Sequence, residues 1–225
     1  MNEEGLRHEL KYEISPAVAQ ELNYRLKGLM LPDPHAGPSG YLIRSLYFDD
    51  CDYAAYRDKT DGIRDRSKLR LRFYNGDDSY IVFENKEKLG NLTRKTAQRV
   101  DRETALRLTA GEDLEGESGP VIDLYRALRA SRLLQPRVLV DYHRIPFVFS
   151  VSNVRITLDL DVRTAPFQTD LFSQQATLPV LDDGKGILEV KYDDFLPPYL
   201  AEALNAVPAA RMSVSKYVKC LGVLE

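Results

Sequence analysis

Basic side chains at alternating positions are the feature of this sequence that points most directly to chemistry. Lys68, Arg70 and Arg72 alternate with leucine and phenylalanine over residues 66–74. Because successive side chains of a strand point to opposite faces, this segment is cationic on one face and apolar on the other. Lys and Arg gathered on one face can form charge-assisted hydrogen bonds with phosphate oxygens. One such segment alone would be a solvated edge, whereas five or six of them indicate a sheet that collects positive charge for a polyanion.

The same alternation of charged and apolar residues recurs in further segments. In these segments, Lys or Arg shares the polar face of the strand with a few carboxylates. Over 153–163, Arg155 and Asp159 alternate with valine, isoleucine and leucine. Hard divalent cations take oxygen ligands, so these acidic residues suit a metal ion held beside phosphate. The carboxylates in this phase are Glu9, Glu84, Asp159 and Glu189.

Strands and amphipathic helices must position these side chains. Apolar residues at helical spacing predict the helices, and Ser15-Pro16 supplies an N-cap and a proline in the first turn. The segment 31–40 is a predicted loop, and the Asp-rich segment 49–57 a short helical turn. The predicted strands are 6–14, 41–48, 66–74, 79–88, 92–100, 137–149, 153–163 and 186–193. The predicted helices are 16–30, 101–110, 120–133, 198–206 and 213–224.

Composition and charge predict a globular protein with a single domain over 1–225. The formal net charge is −3 despite 31 Lys and Arg, so basic residues that converge inside require an acidic exterior. Asp49, Asp50 and Asp52 are candidates for that exterior. Nucleic-acid-binding proteins usually carry net positive charge, so nucleic acid is not an expected partner.

Several other classes of protein find no support in the sequence. No apolar run approaches the roughly 18 residues that span a bilayer. The polar N-terminus has no secretory apolar region, so we expect a cytoplasmic protein without membrane insertion. The three histidines have no metal-binding spacing, and Cys51 and Cys220, the only cysteines, are expected to be packing residues.

Two arrangements satisfy the alternation: an open sheet with a hydrated charged face, or a closed barrel of about eight strands with a charged lumen. Basic residues occupy the polar phase of nearly every strand, where random surface usage would mix in Ser, Thr and Gln. This bias favours the lumen. Mutual repulsion and desolvation would disfavour an empty cationic lumen. We therefore expect a polyanion to fill it, and expect the ligand-free Arg70→Ala/Arg72→Ala variant to be more stable than wild type.

Eight short motifs occur in a characteristic order over essentially the whole chain. They are RHELKY at 7–12, SLYFDD at 45–50, KLRLRFY at 68–74, FENKEK at 83–88, DYHRIPF at 141–147, VRITLD at 154–159, LEVKY at 188–192 and SKY at 215–217. As a set they resemble the VTC domain, the catalytic domain of polyphosphate polymerases, in the triphosphate tunnel metalloenzyme or CYTH-like superfamily.

The resemblance implies an α+β fold, in which an antiparallel tunnel barrel carries amphipathic helices on its outside and a Mn²⁺ or Mg²⁺ ion at one end of its lumen. It implies catalytic roles for Lys11, Arg70, Arg72, Lys86, Arg144, Arg155 and Lys216. It implies phosphate-binding roles for Lys95, Tyr142, Lys191 and Ser215. Glu189 matches the metal-binding glutamate, and Glu9 is a second candidate ligand.

The sequence departs from the expected pattern at three places, one of which is Asn85, a polar residue in the apolar phase of its strand. Arg7 stands where the superfamily often has an acidic residue, which removes one metal ligand, and Ala97 stands where a second basic residue after Lys95 is expected. The chain has no P-loop sequence. Side chains and metal must therefore hold any nucleotide.

The implied activity is transfer of the γ-phosphate of ATP to a growing polyphosphate chain, so the expected partners are ATP and inorganic polyphosphate or triphosphate. A phosphate nucleophile is already anionic and needs no strong base, which fits the absence of a catalytic histidine pattern. A hydrolase of inorganic triphosphate or a nucleotide would use the same binding residues. A non-catalytic polyphosphate-binding module is the third hypothesis.

Overall fold

The computed structural model describes residues 7–90, 92–165, 169–205 and 214–223, and every structural statement here concerns those residues. The described strands are β1 (Arg7–Ile14), β2 (Leu31–Pro32), β3 (Tyr41–Asp49), β4 (Arg66–Tyr74), β5 (Asp77–Leu89), β6 (Leu92–Val100), β7 (Gln135–Phe149), β8 (Val154–Ala165), β9 (Leu178–Pro179) and β10 (Gly186–Tyr192). The described helices are α1 (Pro16–Leu29), α2 (Ala54–Thr60), α3 (Arg102–Thr109), α4 (Pro120–Arg132), α5 (Pro198–Asn205) and α6 (Lys216–Leu221).

Within the described residues, eight strands close into an antiparallel barrel. Neighbouring strands follow the order β7-β3-β4-β5-β6-β1-β10-β8, and β8 pairs back to β7. Two strands of two residues each pair with the barrel strands: β2 is antiparallel to β7, and β9 is antiparallel to β8. The predicted α+β tunnel barrel is therefore confirmed, and the open sheet is excluded.

The apolar phase of the barrel strands faces outward and is covered by helices. On one side, Leu71 and Phe83 pack in a cluster with Tyr125 of α4. On the other side, Leu22 of α1 packs with Leu188 of β10. Burying this face against amphipathic helices removes apolar surface from water and leaves the polar phase inside.

Local sequence sets where the helices begin. The Ser15 hydroxyl accepts a hydrogen bond from the Val18 amide at 3.3 Å, and Pro16 occupies the first turn of α1. The Asp101 carboxylate caps α3 by accepting from the Thr104 amide at 2.8 Å. Both caps satisfy amide groups that have no partner within the helix.

Helix α6 lies across one end of the barrel. Its Tyr217 and Cys220 pack in a cluster with Tyr47, Val138 and Val140, which occupy the inward phase of β3 and β7. The predicted helix at 213–224 is shorter in the structure, and residues 213 and 224 lie outside the described part of the chain. This helix brings its first residues to the lumen.

Asp49 anchors both α2 and α6, and the prediction that it belongs to an acidic exterior is wrong. Only 2% of Asp49 is exposed. Its carboxylate accepts hydrogen bonds from the Ala55 amide at 2.9 Å, the Tyr56 amide at 3.0 Å and the Tyr217 hydroxyl. Asp49 is buried because it ends β3 and caps α2, the next helix in the chain.

Two neighbours of Asp49 also differ from expectation. Asp50 is buried because its carboxylate accepts from the amides of Asp52 and Ala54, at 3.1 and 2.9 Å. Cys51 is exposed rather than packed, whereas Cys220 is buried. Burial raises the pKa of the Cys220 thiol to about 12. Residues 49–53 thus form a tight capping loop, and the helical turn predicted within 49–57 begins only at Ala54, the first residue of α2.

Candidate functional site

The barrel encloses a cavity of about 640 Å³ whose wall is the charged phase of the strands. Every residue to which the family resemblance gives a catalytic, phosphate-binding or metal-binding role lines it, although those roles stay predictions. These residues are Glu9, Lys11, Arg70, Arg72, Lys86, Lys95, Tyr142, Arg144, Arg155, Glu189, Lys191, Ser215 and Lys216.

Strand register explains how the sequence brings these residues together. Lys68 on β4 lies opposite Lys86 on β5, which lies opposite Lys95 on β6. The intervening Leu69 and Leu71 point outward and are buried. Residues that face each other across antiparallel strands lie on the same face, so the basic positions of separate strands form one continuous wall.

A buried carboxylate holds the arginines of β4. Glu84 lies 2.6 Å from Arg70 and 2.6 Å from Lys95, through different carboxylate oxygens. Arg72 donates to the hydroxyls of Ser45 and Tyr142, both at 3.0 Å. Burial would raise the pKa of Glu84, but the neighbouring cations outweigh it and hold that pKa far below its usual range. Glu84 is therefore ionised and fixes the guanidinium groups in place.

A second buried carboxylate holds Arg144. Asp159 accepts two hydrogen bonds from this guanidinium, at 2.6 and 2.8 Å, and lies 2.5 Å from Lys216 Nζ. Burial raises the pKa of Asp159, but Arg144 and Lys216 lower it more strongly, to about 2. Gly40 (φ +92°) runs so close to Arg144 that a Cβ would lie 2.1 Å from its carbonyl oxygen. Asp159 thus fixes the guanidinium, and the close approach of Gly40 constrains the backbone of Arg144.

Glu9 and Glu189 form a carboxylate pair in the wall between β1 and β10. Lys11 Nζ lies 3.1 Å from Glu9 and 3.9 Å from Glu189. Lys86 contacts Glu9 at 2.6 Å, and Lys191 contacts Glu189 at 3.0 Å. Burial raises the pKa of both carboxylates, yet these lysines lower both pKa values below their ordinary range. Both carboxylates are therefore anionic at neutral pH.

The carboxylate pair fits the metal that the family implies. No group of three or more His, Cys, Asp or Glu that could hold a metal occurs among the described residues. Mg²⁺ usually takes one or two protein carboxylates and completes its shell with water and substrate phosphate, so two ionised glutamates suffice. Glu84 and Asp159, the other acidic residues that the sequence suggests for a cation, do not line the cavity, whereas Glu9 and Glu189 do. Glu9 and Glu189 are the residues that would hold the ion.

Arg155 lies at the rim of the cavity rather than in its interior. Its guanidinium donates to the Tyr41 hydroxyl at 3.0 Å and pairs with Asp33 at 2.7 Å. A third of the Arg155 side chain (33%) is exposed, whereas Arg72 and Arg144 are buried. The expected cluster of Arg70, Arg72, Arg144 and Arg155 is thus three interior arginines and one at the mouth.

Lys68 lines the cavity at the end covered by α6. Its ammonium group donates to the Ser215 hydroxyl at 3.2 Å and lies 4.7 Å from the centre of the Tyr217 ring. Burial lowers the pKa of Lys68 to about 7, with further lowering from Lys11, Arg66 and Lys59. Lys68 therefore faces the lumen, and its contact with a ligand stays a prediction.

Several lining residues were missed from the sequence. Tyr41, Tyr47 and Tyr74 occupy the inward phase of β3 and β4, so the same alternation could have identified them. Lys59 comes from α2, and no strand pattern could have placed it in the wall. Arg7 lines the cavity and pairs with Asp193 at 2.9 Å, so it supplies no metal ligand.

The closed antiparallel barrel, with its cationic lumen and the carboxylates in its wall, is the triphosphate tunnel, or CYTH-like, fold that the resemblance implies. Residues 6–225 match the VTC domain, and the chain therefore belongs to the VTC domain family. Membership of this family supports a function related to nucleotides or polyphosphate, in an enzyme of the phosphate-transfer kind.

Solved structures share the fold at low sequence identity. A candidate adenylate cyclase from Bacillus halodurans is 16% identical, with 89% of this chain and 88% of that chain covered at a TM-score of 0.50. A chain of the Schizosaccharomyces pombe Mediator head module is 12% identical, with 92% and 100% covered at a TM-score of 0.50. The comparison with curated proteins found no match. Across the described residues, no helix has the length and apolar character needed to cross a membrane.

Proposed function

We propose that this domain is a polyphosphate polymerase that transfers the γ-phosphate of ATP to a growing polyphosphate chain. The observation that carries the proposal is the charge of the cavity wall. Among the described residues, the wall contains fifteen Lys and Arg side chains and only two carboxylates, Glu9 and Glu189. Such a wall matches an elongated polyanion better than a singly charged ligand.

The interior arginines are suited to hold a triphosphate. A guanidinium has five N–H donors in a planar fork, and the contacts of Arg70, Arg72 and Arg144 use only some of them. The remaining donors are available to phosphate oxygens in the cavity that these residues line, and charge-assisted hydrogen bonds of this kind are strong. Because Glu84 and Asp159 fix the guanidinium groups, little reorganisation accompanies binding.

The proposed reaction needs positioning and charge neutralisation more than proton transfer. An oxygen of the terminal phosphate of the chain attacks the γ-phosphorus of ATP, the bond from that phosphorus to the β,γ-bridging oxygen breaks, and ADP leaves. Negative charge spreads over the equatorial oxygens during transfer, and fixed Arg and Lys side chains stabilise it. The nucleophile is already anionic, so no general base is required.

Glu9 and Glu189 would hold the divalent ion beside the triphosphate. When bound, Mn²⁺ or Mg²⁺ would neutralise phosphate charge and orient the phosphate oxygens. Lys11, Lys86 and Lys191 balance the two glutamates and would turn toward phosphate once the ion takes the carboxylates. The wall can thus exchange its own ion pairs for substrate contacts.

The test is incubation of the protein with ATP and Mn²⁺, followed by a gel for long chains and assays for ADP and free phosphate. Chains with equivalent ADP are the expected result. Free phosphate without chains would instead identify a hydrolase, and ligand binding without turnover would identify a binding module. The lumen variant Arg72→Gln should lose the activity. The matched variant Arg126→Ala should keep it, because that arginine is exposed on α4 and pairs weakly with Asp113 at 3.6 Å.

A further inference from the structure

A row of aromatic rings stands at the mouth of the cavity, at the rim that Arg155 marks. The ring of Tyr41, whose hydroxyl accepts from Arg155, lies edge-on to that of Tyr74, with centroids 5.7 Å apart. Tyr74 in turn lies 6.2 Å from Tyr80, at an interplanar angle of 36°. Three rings therefore run outward from the cavity wall.

The outer part of this row is open to solvent. Tyr80 is 51% exposed, and the Arg99 guanidinium lies 5.4 Å from the centre of its ring. Arg99 is held by a hydrogen bond from its Nη2 to the Ser79 carbonyl at 2.9 Å. Aromatic faces and guanidinium planes are the surfaces on which bases stack, and such stacking depends little on base identity.

The aromatic row continues the wall that would hold the triphosphate. Tyr74 follows Arg72 by two residues on the same face of β4, a separation of about 7 Å along the strand. Arg72 also lies opposite Val82 on β5, and Val82 lies opposite Arg99 on β6. Arg99, beside the exposed ring of Tyr80, is therefore on the same face of the sheet as the interior arginine Arg72. A ligand with phosphates on Arg72 would carry its sugar and base toward Tyr74 and Tyr80.

We propose that Tyr74, Tyr80 and Arg99 form a subsite for the base of a nucleoside triphosphate. The inference rests on the proposed function, because it requires the triphosphate to lie in the lumen. It adds that the donor enters with its base at the rim, and that this rim distinguishes a nucleotide from inorganic triphosphate. The interior charges bind both ligands, whereas the aromatic platform contacts only the nucleotide.

The experiment compares dissociation constants for ATP and inorganic triphosphate, measured by calorimetry with Mn²⁺ present. Tyr80→Ala should weaken ATP binding about tenfold, as expected for loss of one base–aromatic stack, and leave inorganic triphosphate binding unchanged. Tyr80→Phe keeps the ring and should bind ATP as wild type does. Tyr24→Ala, at a tyrosine of α1 that is 83% exposed, is the matched control and should change neither constant.

The outcomes separate this subsite from the proposed activity. If Tyr80→Ala weakens both ligands equally, or leaves ATP binding unchanged, the base subsite is refuted while the proposed polymerase stands. If ATP binding depends on Tyr80 but no chains form, the subsite stands and the polymerase falls. If neither ligand binds to wild type, the lumen is not a triphosphate site and both are refuted.

Discussion

Arg70 and Lys68 stand two residues apart on the same face of β4, yet their surroundings differ. Arg70 is 2.6 Å from the buried carboxylate of Glu84, and Glu84 and Tyr47 outweigh burial to hold its pKa well above the ordinary value. Lys68 has a hydroxyl and a ring as neighbours, and burial among other cations lowers its pKa to about 7. The first belongs to a paired section of the wall, and the second to a basic end.

The difference shows two ways of keeping positive charge inside a protein. In the paired section, carboxylates behind the cations keep them ionised and oriented with no ligand present. At the basic end, the charge of Lys68 depends on pH and on an anion from outside. Removing a carboxylate should therefore harm the paired section, whereas removing a lysine should relieve the basic end.

The largest expected effect is on the stability of the paired section. Glu84→Gln leaves Arg70 and Arg72 as buried cations without their carboxylate, and loss of one partner from a buried ion pair costs about 3–5 kcal/mol. Urea unfolding followed by circular dichroism measures the change. Glu87→Gln on the same strand is the control, because its partner Arg94 is exposed and such pairs contribute only about 0–1 kcal/mol. Equal losses for the two variants would contradict the role given to Glu84.

The carboxylate pair should matter for turnover. Glu189→Gln keeps the shape of the side chain but removes charge that a hard cation needs. We expect Mn²⁺-dependent turnover to fall by more than about 100-fold, the upper range for loss of an outer-shell metal contact. Glu13→Gln on β1 serves as the control, because Glu13 pairs with Lys185 at 3.3 Å. Full activity of Glu189→Gln at saturating Mn²⁺ would assign the ion to other ligands.

A polyanion should stabilise the folded protein through the paired section. At a hundredfold excess over Kd, a ligand that binds only the folded state adds about 2.7 kcal/mol. Short polyphosphate should raise the melting temperature accordingly, and Arg70→Ala/Arg72→Ala should cancel that rise. An unchanged rise in the double variant would show that these arginines do not bind the ligand.

The sequence predicts that the ligand-free Arg70→Ala/Arg72→Ala variant is more stable than wild type, and the structure predicts the opposite. Relief of repulsion predicts a gain in stability, but Glu84 would lose its contact with Arg70 at 2.6 Å and remain buried. The ligand-free double variant should therefore melt below wild type. Melting curves of wild type and the double variant, each with and without polyphosphate, measure both the ligand-free stability and the stabilisation by ligand.

The smallest expected effect lies at the basic end and depends on pH. The pKa of Lys68 falls from 10.5 to about 7 on folding, so its charged form destabilises the folded state most below about pH 7. Between pH 7 and 10.5 the unfolded chain binds more protons than the folded one, so this destabilisation shrinks as pH rises. Lys68→Met should therefore stabilise the ligand-free protein more at pH 6 than at pH 9. The free energy of unfolding is measured in urea, with Lys27→Met, at an exposed lysine of α1, as the control. An equal gain in stability at pH 6 and pH 9 for Lys68→Met would contradict the prediction.

The alternation in each strand predicted which residues face the lumen because a period of two needs only local sequence. Arg70, Lys86 and Glu189 lie on the wall for that reason. The same pattern does not say how far along the barrel a residue stands. Arg155 is on the inward face of its strand, as the alternation predicts, but it lies at the rim of the cavity. Its position along the barrel axis depends on strand tilt and register, which the alternation does not specify.

Contacts between distant segments could not be predicted at all. Asp49 follows a strand and reads as a surface residue, but it meets Tyr217, which is 168 residues away in sequence. Pairing of Glu84 with Arg70 and Lys95 likewise requires three strands in register. Sequence chemistry identified the charges, and only the closed barrel determines which of them neutralise each other.

The carboxylates already bound to the lumen cations make the cavity behave as an ion exchanger with tethered counterions. In the paired section, chloride or a single phosphate competes with Glu84 or Asp159, which stay at high effective concentration because the backbone holds them beside Arg70 and Arg144. A chain of several phosphates engages several cations at once and gains the same advantage. We therefore expect the paired section of the tunnel to favour ligands of high valence over small anions.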